Sequence, residues 1–474
     1  MKSGRISLTE INSLQKHSIK PNSFLEDGKR IFRELSQRNK ISGSLSDYIT
    51  ESYRPGIFKR CFVSSIEHGY YYITAQTMNT QDAVSFAKIL STVMTQNLEP
   101  MILKEKEILV SCAGTVGNIR FIDKTISGNI GSQDIIRVVS NPESYGFVYA
   151  YLSTPTVNSY LQSQIYGSVV ARIEPEVMFK IPVIEFDSEL ISEVESLIRE
   201  SIELKEHAIN KLNEQRDLLL KSCKLNSLTS NEYDYYGPRT PERKTSTFIV
   251  NKKDITALTI NAFNHSERIK KLKEKVRASI DCITLKDCIT DDGFFSTGSF
   301  PRVEVKYKHG IQLINQQDIF DSIIKGKWIS NRGVKTDKLV EKDEIIIAGV
   351  GTLAETETFC RCIYANEYLA GKLVSGEFIR IKSNGKIPSG YLYLWLSSQY
   401  GFRFIRNTQA GTKLCRPIRP MLETIPIPVL SNNIMQDLDQ ETKKAQHMLY
   451  LSIKKEQDAI DLLEEQIQKH LRYQ

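Results

Sequence analysis

The chain has 474 residues, more than one hydrophobic core serves, so two or more domains are expected. Apolar residues make up 41% and charged residues 25%, the ordinary balance of a soluble globular protein, and no window approaches eighteen apolar residues, which argues against a transmembrane helix. The net charge of +7 permits a polyanionic partner, and MKSGRISLTEI at the start lacks the apolar stretch of a signal peptide.

In chain order, LEDGKRIFRELSQRN (25–39) has helical spacing. GYYYITAQ (69–76), EILVSCAG (107–114) and QDIIRVVS (133–140) are short β-rich runs bounded by Gly, Asn and Asp. SYGFVYAYLSTPTVNSYLQSQ (144–164) is helical in pattern and leads to the junction IPVIEFD (181–187). From Ser188 to Ser222 there is no Gly or Pro, and Ile191, Val194, Ile198, Ile202, Ile209, Leu212 and Leu219 recur at three-and-four spacing. That predicts an amphipathic helix of about 52 Å at 1.5 Å per residue, with Ser188 as its cap. CKLNSLTSNEYDYYGPRTPERKTS (223–246) has the Pro, Gly, Ser and Asn of a linker. GIQLINQ (310–316), DEIIIAGV (343–350) and GEFIRIKS (376–383) are again strand-like. After IPIPVLS (425–431), a second helix is predicted on Met435, Leu438, Ala445, Leu449, Ile453, Ile460, Leu463, Ile467 and Leu471, capped from Ser431, Asn432 and Asn433.

The second half repeats the first. Glu107 and Glu344 are 237 positions apart, as are Gly114 and Gly351, and Thr115 and Thr352. SLSDYI (44–49) matches TLKDCI (284–289), ITAQ (73–76) matches INQQ (314–317), and YAYLST (149–154) matches YLWLSS (393–398). Gly167 matches Gly411, Arg172 matches Arg416, and IPV (181–183) matches IPI (425–427). The matches stay in order, so this is a tandem of two domains, far longer in period than a solenoid repeat. The predicted fold class is α+β, with two similar domains, 1–184 and 247–428, an internal pseudo-two-fold repeat. Long helices occupy 185–226 and 429–474, and a linker 227–246. Each helix is too long to bury its stripe against one small domain, so an antiparallel helix pair is expected to hold the two domains. Glu193, Lys205, Lys211, Lys443 and Glu456 interrupt the apolar stripes and make the seam imperfect. Two similar but non-identical domains on a rigid stalk suit a linear polymer carrying two different marks, and DNA is such a polymer.

This order of β-rich domain, IP junction and long helix, given twice, resembles the specificity subunit of type I restriction–modification systems. The matching features are AGTVG and AGVGT, the Gly167 and Gly411 segments, and the two IP junctions. The resemblance implies that each domain is a target recognition domain reading half of a bipartite, asymmetric site in double-stranded DNA. It implies that the helices set the unread spacer and dock two DNA methyltransferase subunits, with two restriction/translocase subunits completing the complex. It implies that this chain is no catalyst and binds no cofactor or metal itself. S-adenosylmethionine, ATP and Mg²⁺ would belong to the partner subunits, and the setting would be a prokaryotic cytoplasm, associated with the nucleoid and with no membrane partner.

Enzyme motifs support that expectation. No [DN]-P-P-[YFW] loop is present, since the single Asn-Pro is Asn141-Pro142-Glu143, and no P-loop is present. Asp292, Glu304 and Lys306 have the spacing of a metal-dependent nuclease, but the first copy carries Val63-Ser64-Ser65 there, which favours a solvated strand edge. The eight cysteines form no CxxC, and Cys360 and Cys362 are too close for a good chelate, so buried thiols are expected. The Gly-Thr turns could cradle phosphate; a tight strand end is preferred, because a turn shared by two domains that read different bases belongs to the scaffold.

Phosphates call for Lys and Arg, and base edges for Arg, Asn and Gln. In the first copy the candidates are Arg54, Lys59, Arg60, Tyr70, Tyr71, Gln76 and Arg172. In the second they are Arg302, Lys306, Lys308 and Lys327, followed by Arg403, Arg406, Lys413, Arg416 and Arg419 in the densest basic run of the chain. Two other readings stay open. One is the specificity chain of a type IIB-like restriction enzyme, which differs only in its partner. The other is a non-catalytic scaffold of two domains on a helical stalk.

Overall fold

The computed structural model describes residues 8–13, 20–167, 169–228, 248–252 and 255–472, and the predicted linker from 229 onward lies outside them. The chain forms two compact units, Met1–Glu206 with Leu451–Gln474, and His207–Tyr450. The division falls inside both long helices, Ser188–Ser222 and Asn432–Arg472, so each unit takes a part of each helix with its own α+β domain. This differs from the chain-order partition expected from sequence. The reason is packing, since each α+β domain covers the helix segments that lie against it.

In the first unit, Ile49–Tyr53, Ile135–Ser140, Ile108–Ser111 and Ile119–Phe121 form a four-stranded antiparallel sheet in that order. A second sheet orders Phe62–Val63, Lys88–Ser91, Gly69–Ile73 and Ile130–Gly131, its last pair parallel. In the second unit, Cys362–Tyr364, Ile345–Ala348 and Phe378–Ile381 pair as their counterparts do. Lys327–Ile329, Ile311–Ile314 and Leu373–Val374 repeat the second sheet, again with a parallel last pair. All six strand runs expected from alternation and β-branching are strands. The 144–164 stretch is two helices, Tyr145–Ser153 and Pro155–Ser163, because Thr154 leaves helical geometry and caps the second one by accepting from Val157 N. Ser398 does the same between Ser389–Ser397 and Gln399–Asn407.

The repeated motifs fold alike. SLSD and TLKD are both capping boxes, Ser44 with Asp47 and Thr284 with Asp287. The IP junctions are strands, Pro182–Ile184 paired with Ile41–Ser44 and Pro426–Pro428 paired with Cys282–Thr284. The two strand runs that open with Glu107 and Glu344 each bury that carboxylate beside a buried arginine. Arg380 makes a bidentate pair with Glu344 at 2.7 and 2.8 Å and donates to the Lys338 and Leu339 carbonyls. Arg137 binds the carbonyls of Met101, Gly131, Ser132 and Ile135, while Glu107 accepts from Tyr53 Oη at 2.7 Å.

The helices Ser188–Ser222 and Asn432–Arg472 lie inside the expected segments 185–226 and 429–474, two to four residues shorter at each end. Ser188 is the first helical residue rather than the cap, since the Asp187 carbonyl accepts from Ile191 N at 3.1 Å. The predicted stripe is the buried face, with Val194, Ile198, Leu212, Leu219, Leu438, Leu449, Ile460 and Leu463 among the most enclosed. In the first unit the helices run antiparallel, with Lys455 paired to Glu200 and Ser452 hydrogen-bonded to Ser201. In the second, Lys211 pairs with Glu441.

A carboxylate of each helix also docks at a matching place on an α+β domain. Glu195 accepts from Phe147 N at 2.8 Å, and Asp439 accepts from Gly390 N at 2.7 Å. These meet the free N–H groups at the start of the Tyr145–Ser153 and Ser389–Ser397 helices, where negative charge is favoured. Glycine stands at both contacts because a Cβ on Gly146 or Gly390 would lie 2.8 Å from the docking carboxylate.

The sequence flagged Lys205 and Glu456 as interruptions of the stripe. In the first unit both are buried, with Arg120, Asp123 and Tyr149 around them, and Tyr149 Oη hydrogen-bonds Glu456. Burial pushes the Lys205 ammonium down to about 7, with the Arg120 charge adding to the effect and Asp123 and Glu456 opposing it. An unfolded lysine keeps its proton to about 10.5, so between these values the unfolded state holds more protons and stability rises with pH. Replacing the pair together, Lys205→Leu with Glu456→Leu, should therefore stabilise the chain by about 1–3 kcal/mol at pH 6, with the gain shrinking toward pH 10, as read from urea unfolding across that range. Glu344→Ala strands the buried Arg380 charge and should cost about 3–5 kcal/mol in the same measurement on the second unit.

Candidate nucleic-acid interface

In the first unit the predicted residues fall into two groups. Lys59 and Arg60 are exposed on the approach to Phe62–Val63, and Tyr70 is 38% exposed on the Gly69–Ile73 strand of the same sheet. Tyr71 is half-buried against the core, and Gln76 is exposed just past that strand. The second group surrounds the Gly-Thr turn. Arg172 is half-buried and its backbone bridges Ala113 and Tyr166, while Arg54 pairs with Glu174 at 3.1 Å. Tyr166 Oη also donates to Glu174; burial, then that carboxylate, raises the phenol's pKa.

In the second unit Arg302, Lys306, Lys308 and Lys327 are exposed around the Lys327–Ile329 strand. Lys327 pairs with Glu304 at 2.5 Å, so the carboxylate of the Asp292, Glu304 and Lys306 pattern sits on a solvated strand edge with a lysine. Among the described residues, no three His, Cys, Asp or Glu side chains are grouped to hold a metal. Lys413, Arg416 and Arg419 are exposed, and among the described residues no carboxylate pairs with them.

Two candidates are corrected. Arg403 and Arg406 have side chains 2% and 3% exposed, and both pair with Glu355, at 3.4 and 3.0 Å. They lie in the Gln399–Asn407 helix with Phe402, Phe404 and Ile405, and the guanidinium of Arg406 stacks over Phe402. Helical periodicity splits the dense basic run, turning these two inward and leaving Lys413 on the following loop, Arg416 on the Arg416–Pro417 strand and Arg419 at the start of the Arg419–Glu423 helix, all exposed. Arg403 and Arg406 are structural.

The Gly-Thr turns meet the Gly167 and Gly411 segments in both units. Gly114 N donates to Ala171 O at 3.0 Å, and Gly351 and Cys415 exchange backbone bonds of 3.2 and 2.8 Å. Gly117 N and Asn118 N are taken by Ser111. These N–H groups are already used within the protein, which fits the turns as scaffold. Gly167 and Gly411 stand at φ +86° and +100°, which L side chains rarely adopt, and so present the loops that carry Arg172 and Lys413.

Two further residues belong to these surfaces. Lys88 is exposed opposite Tyr72 on the first unit's sheet and lies over the Phe62 ring at 5.4 Å. It occupies the ladder position of Lys327, which pairs with Leu313, so extending the repeat alignment to 88 and 327 would have found it. Tyr307, 57% exposed, was passed over between Lys306 and Lys308.

Buried thiols are as expected. Cys112 is pushed up to about 11 by burial, and Cys360 and Cys362 are pushed up further by the same cause. Among the described helices none is long and apolar enough to cross a membrane. Arg403→Ala and Arg406→Ala should each lower the melting temperature of the chain by several degrees, while Lys413→Ala and Arg416→Ala leave it within about one degree, by calorimetry.

No family model and no curated protein matches the chain. Solved structures similar to it along most of its length include two specificity subunits. The type I restriction–modification S subunit from M. genitalium is 13% identical, with 93% of this chain and 97% of that one covered and a TM-score of 0.33. The HsdS subunit from Thermoanaerobacter tengcongensis is 11% identical, with 90% and 95% covered and a TM-score of 0.26. A chain from a structure on assembly and conformational transition of the type I R–M system is 11% identical, with 90% and 96% covered and a TM-score of 0.25. At those TM-scores the likeness is low, and the folded repeat described above stands independently of it.

Proposed function

We propose that the chain is the DNA sequence-specificity subunit of a type I restriction–modification complex. Each α+β domain reads one half of a bipartite, asymmetric duplex site, and the length of the two helices sets the number of unread base pairs. The observation that carries this reading is the contrast between scaffold and surface. The two units share strand pairings, capping boxes, IP junctions and carboxylate docking, yet they differ in what they expose. One scaffold with two different faces suits two different half-sites, and the exposed cations suit a phosphate backbone.

The chain itself does no chemistry in this reading. Two DNA methyltransferase subunits bind it and use S-adenosylmethionine to modify adenine N6. Two restriction/translocase subunits supply the steps that need ATP and Mg²⁺. The complex works in a prokaryotic cytoplasm on the chromosome.

Methylome sequencing of a host carrying this chain with its partners tests the proposal. A split adenine-methylation motif with a non-specific gap is expected, and the absence of any chain-dependent motif would refute it. In vitro, Lys413→Ala and Arg416→Ala should each weaken duplex binding and reduce the slope of log affinity against log salt by about one, in an anisotropy titration from 50 to about 200 mM salt.

A further inference from the structure

The Lys327–Ile329 strand turns its three side chains in alternation. Ile329 is buried with Leu313 and Leu373 in the small core under this sheet. Trp328 therefore points to the opposite face, where its ring meets Tyr307 edge-on at 5.6 Å and stays half-buried. The backbone of 303–305 runs alongside, through Val305 N to Trp328 O and Ser330 N to Val303 O, and Val303 is 60% exposed. A large aromatic pair and an exposed valine thus share one ledge.

The charge around the ledge has one sign. Segments 302–308 and 325–332 contain six Lys and Arg residues, all exposed, against a single carboxylate, Glu304, already paired with Lys327. Arg302 lies over Phe300 at 5.2 Å and Lys308 over Tyr307 at 5.1 Å, so cations and rings alternate. A polyanion with flat apolar edges matches both the exposed cations and the rings, whereas an apolar protein face matches the rings alone. In the first unit the position of Trp328 is held by Ile89, which pairs with Tyr71 as Trp328 pairs with Gln312. The ledge is therefore part of what differs between the copies and not part of their scaffold.

We propose that the Trp328–Tyr307 ledge is where the second unit contacts DNA, with the two rings and Val303 packed on base edges or sugars and Arg302, Lys306 and Lys308 on the flanking phosphates. This deepens the DNA-specificity reading and rests on it. It makes aromatic contact, and not only hydrogen bonding to base edges, a means by which this unit holds its half-site.

The chain offers its own probe. It has two tryptophans, and Trp395 is fully buried, stacked on Tyr400 and donating to the Pro426 carbonyl at 2.8 Å. Acrylamide-accessible tryptophan emission of the full chain thus reports Trp328, and Trp328→Phe identifies that component. A fluorescein-labelled 40-bp random-sequence duplex is titrated at low salt, with anisotropy and tryptophan emission followed together. Binding is expected to quench and shield the accessible emission, Trp328→Phe to abolish that change, and Tyr307→Ala, at an exposed position, to weaken binding about tenfold with an unaltered melting temperature. If anisotropy rises while Trp328 emission and acrylamide access stay constant, the ledge is overturned and the DNA reading survives. If no salt-sensitive duplex binding occurs, both fall.

Discussion

A buried arginine beside a buried glutamate organises each unit. Arg380 lies on the strand Phe378–Ile381 of one sheet, and its guanidinium reaches the carbonyls of Lys338 and Leu339, a segment that packs against the core of the other sheet. Arg137 lies on the matching strand and reaches Gly131, which is itself a strand residue of the second sheet. Neither sheet is large, and two small sheets have little apolar area with which to hold a mutual angle. A planar guanidinium with five donors, aimed at fixed carbonyls, supplies that angle directly. The glutamate keeps the buried cation tolerable. Glu344 does so by a bidentate pair, and Glu107 by proximity while it accepts from Tyr53 and from the backbone at Lys104.

With the sheets held, the remaining variation is free to occur on their outer faces. The second sheet of each unit keeps the same pairings while its exposed residues change from Phe62, Tyr70 and Lys88 to Val303, Tyr307 and Lys327. In each unit a long helix meets this frame through a carboxylate at a helix start, Glu195 or Asp439, each steadied by a cation four residues on, Arg199 or Lys443. Those contacts bind backbone N–H groups and not particular side chains. They are therefore indifferent to what the domain surface carries.

Much of this was legible in the sequence. The long helices were readable because thirty-five and forty-one residues of unbroken three-and-four spacing admit no other element. The strands were readable from β-branched runs ended by glycine, and the duplication from ordered matches such as SLSD with TLKD. Arg403 and Arg406 were misjudged because a basic run in one dimension carries no record of which residues a helix turns inward. Their position between Phe402, Phe404 and Ile405 held the clue, since 402, 405 and 406 share a helical face whose apolar members pull the arginine stems with them. Lys88 and Tyr307 were missed for a different reason. Lys88 gains meaning from the ladder position it shares with Lys327, and Tyr307 from the Trp328 ring that the fold brings to it.

The two helix seams show how far a duplicated frame can diverge without losing its packing. In the first unit, Lys205 and Glu456 are buried with Arg120 and Asp123. At the repeat-matched positions the chain has Leu449, Leu212, Ile363 and Asn366, and both leucines are buried in the second unit's core. An apolar seam is the simpler solution, so the charged one contributes less to stability than it does to selectivity. A helix segment from one seam placed in the other would set Lys205 opposite Leu212 and leave its ammonium without Glu456. An uncompensated buried charge of that kind costs about 3–5 kcal/mol, enough to make each seam accept its own pair of helix segments and reject the other.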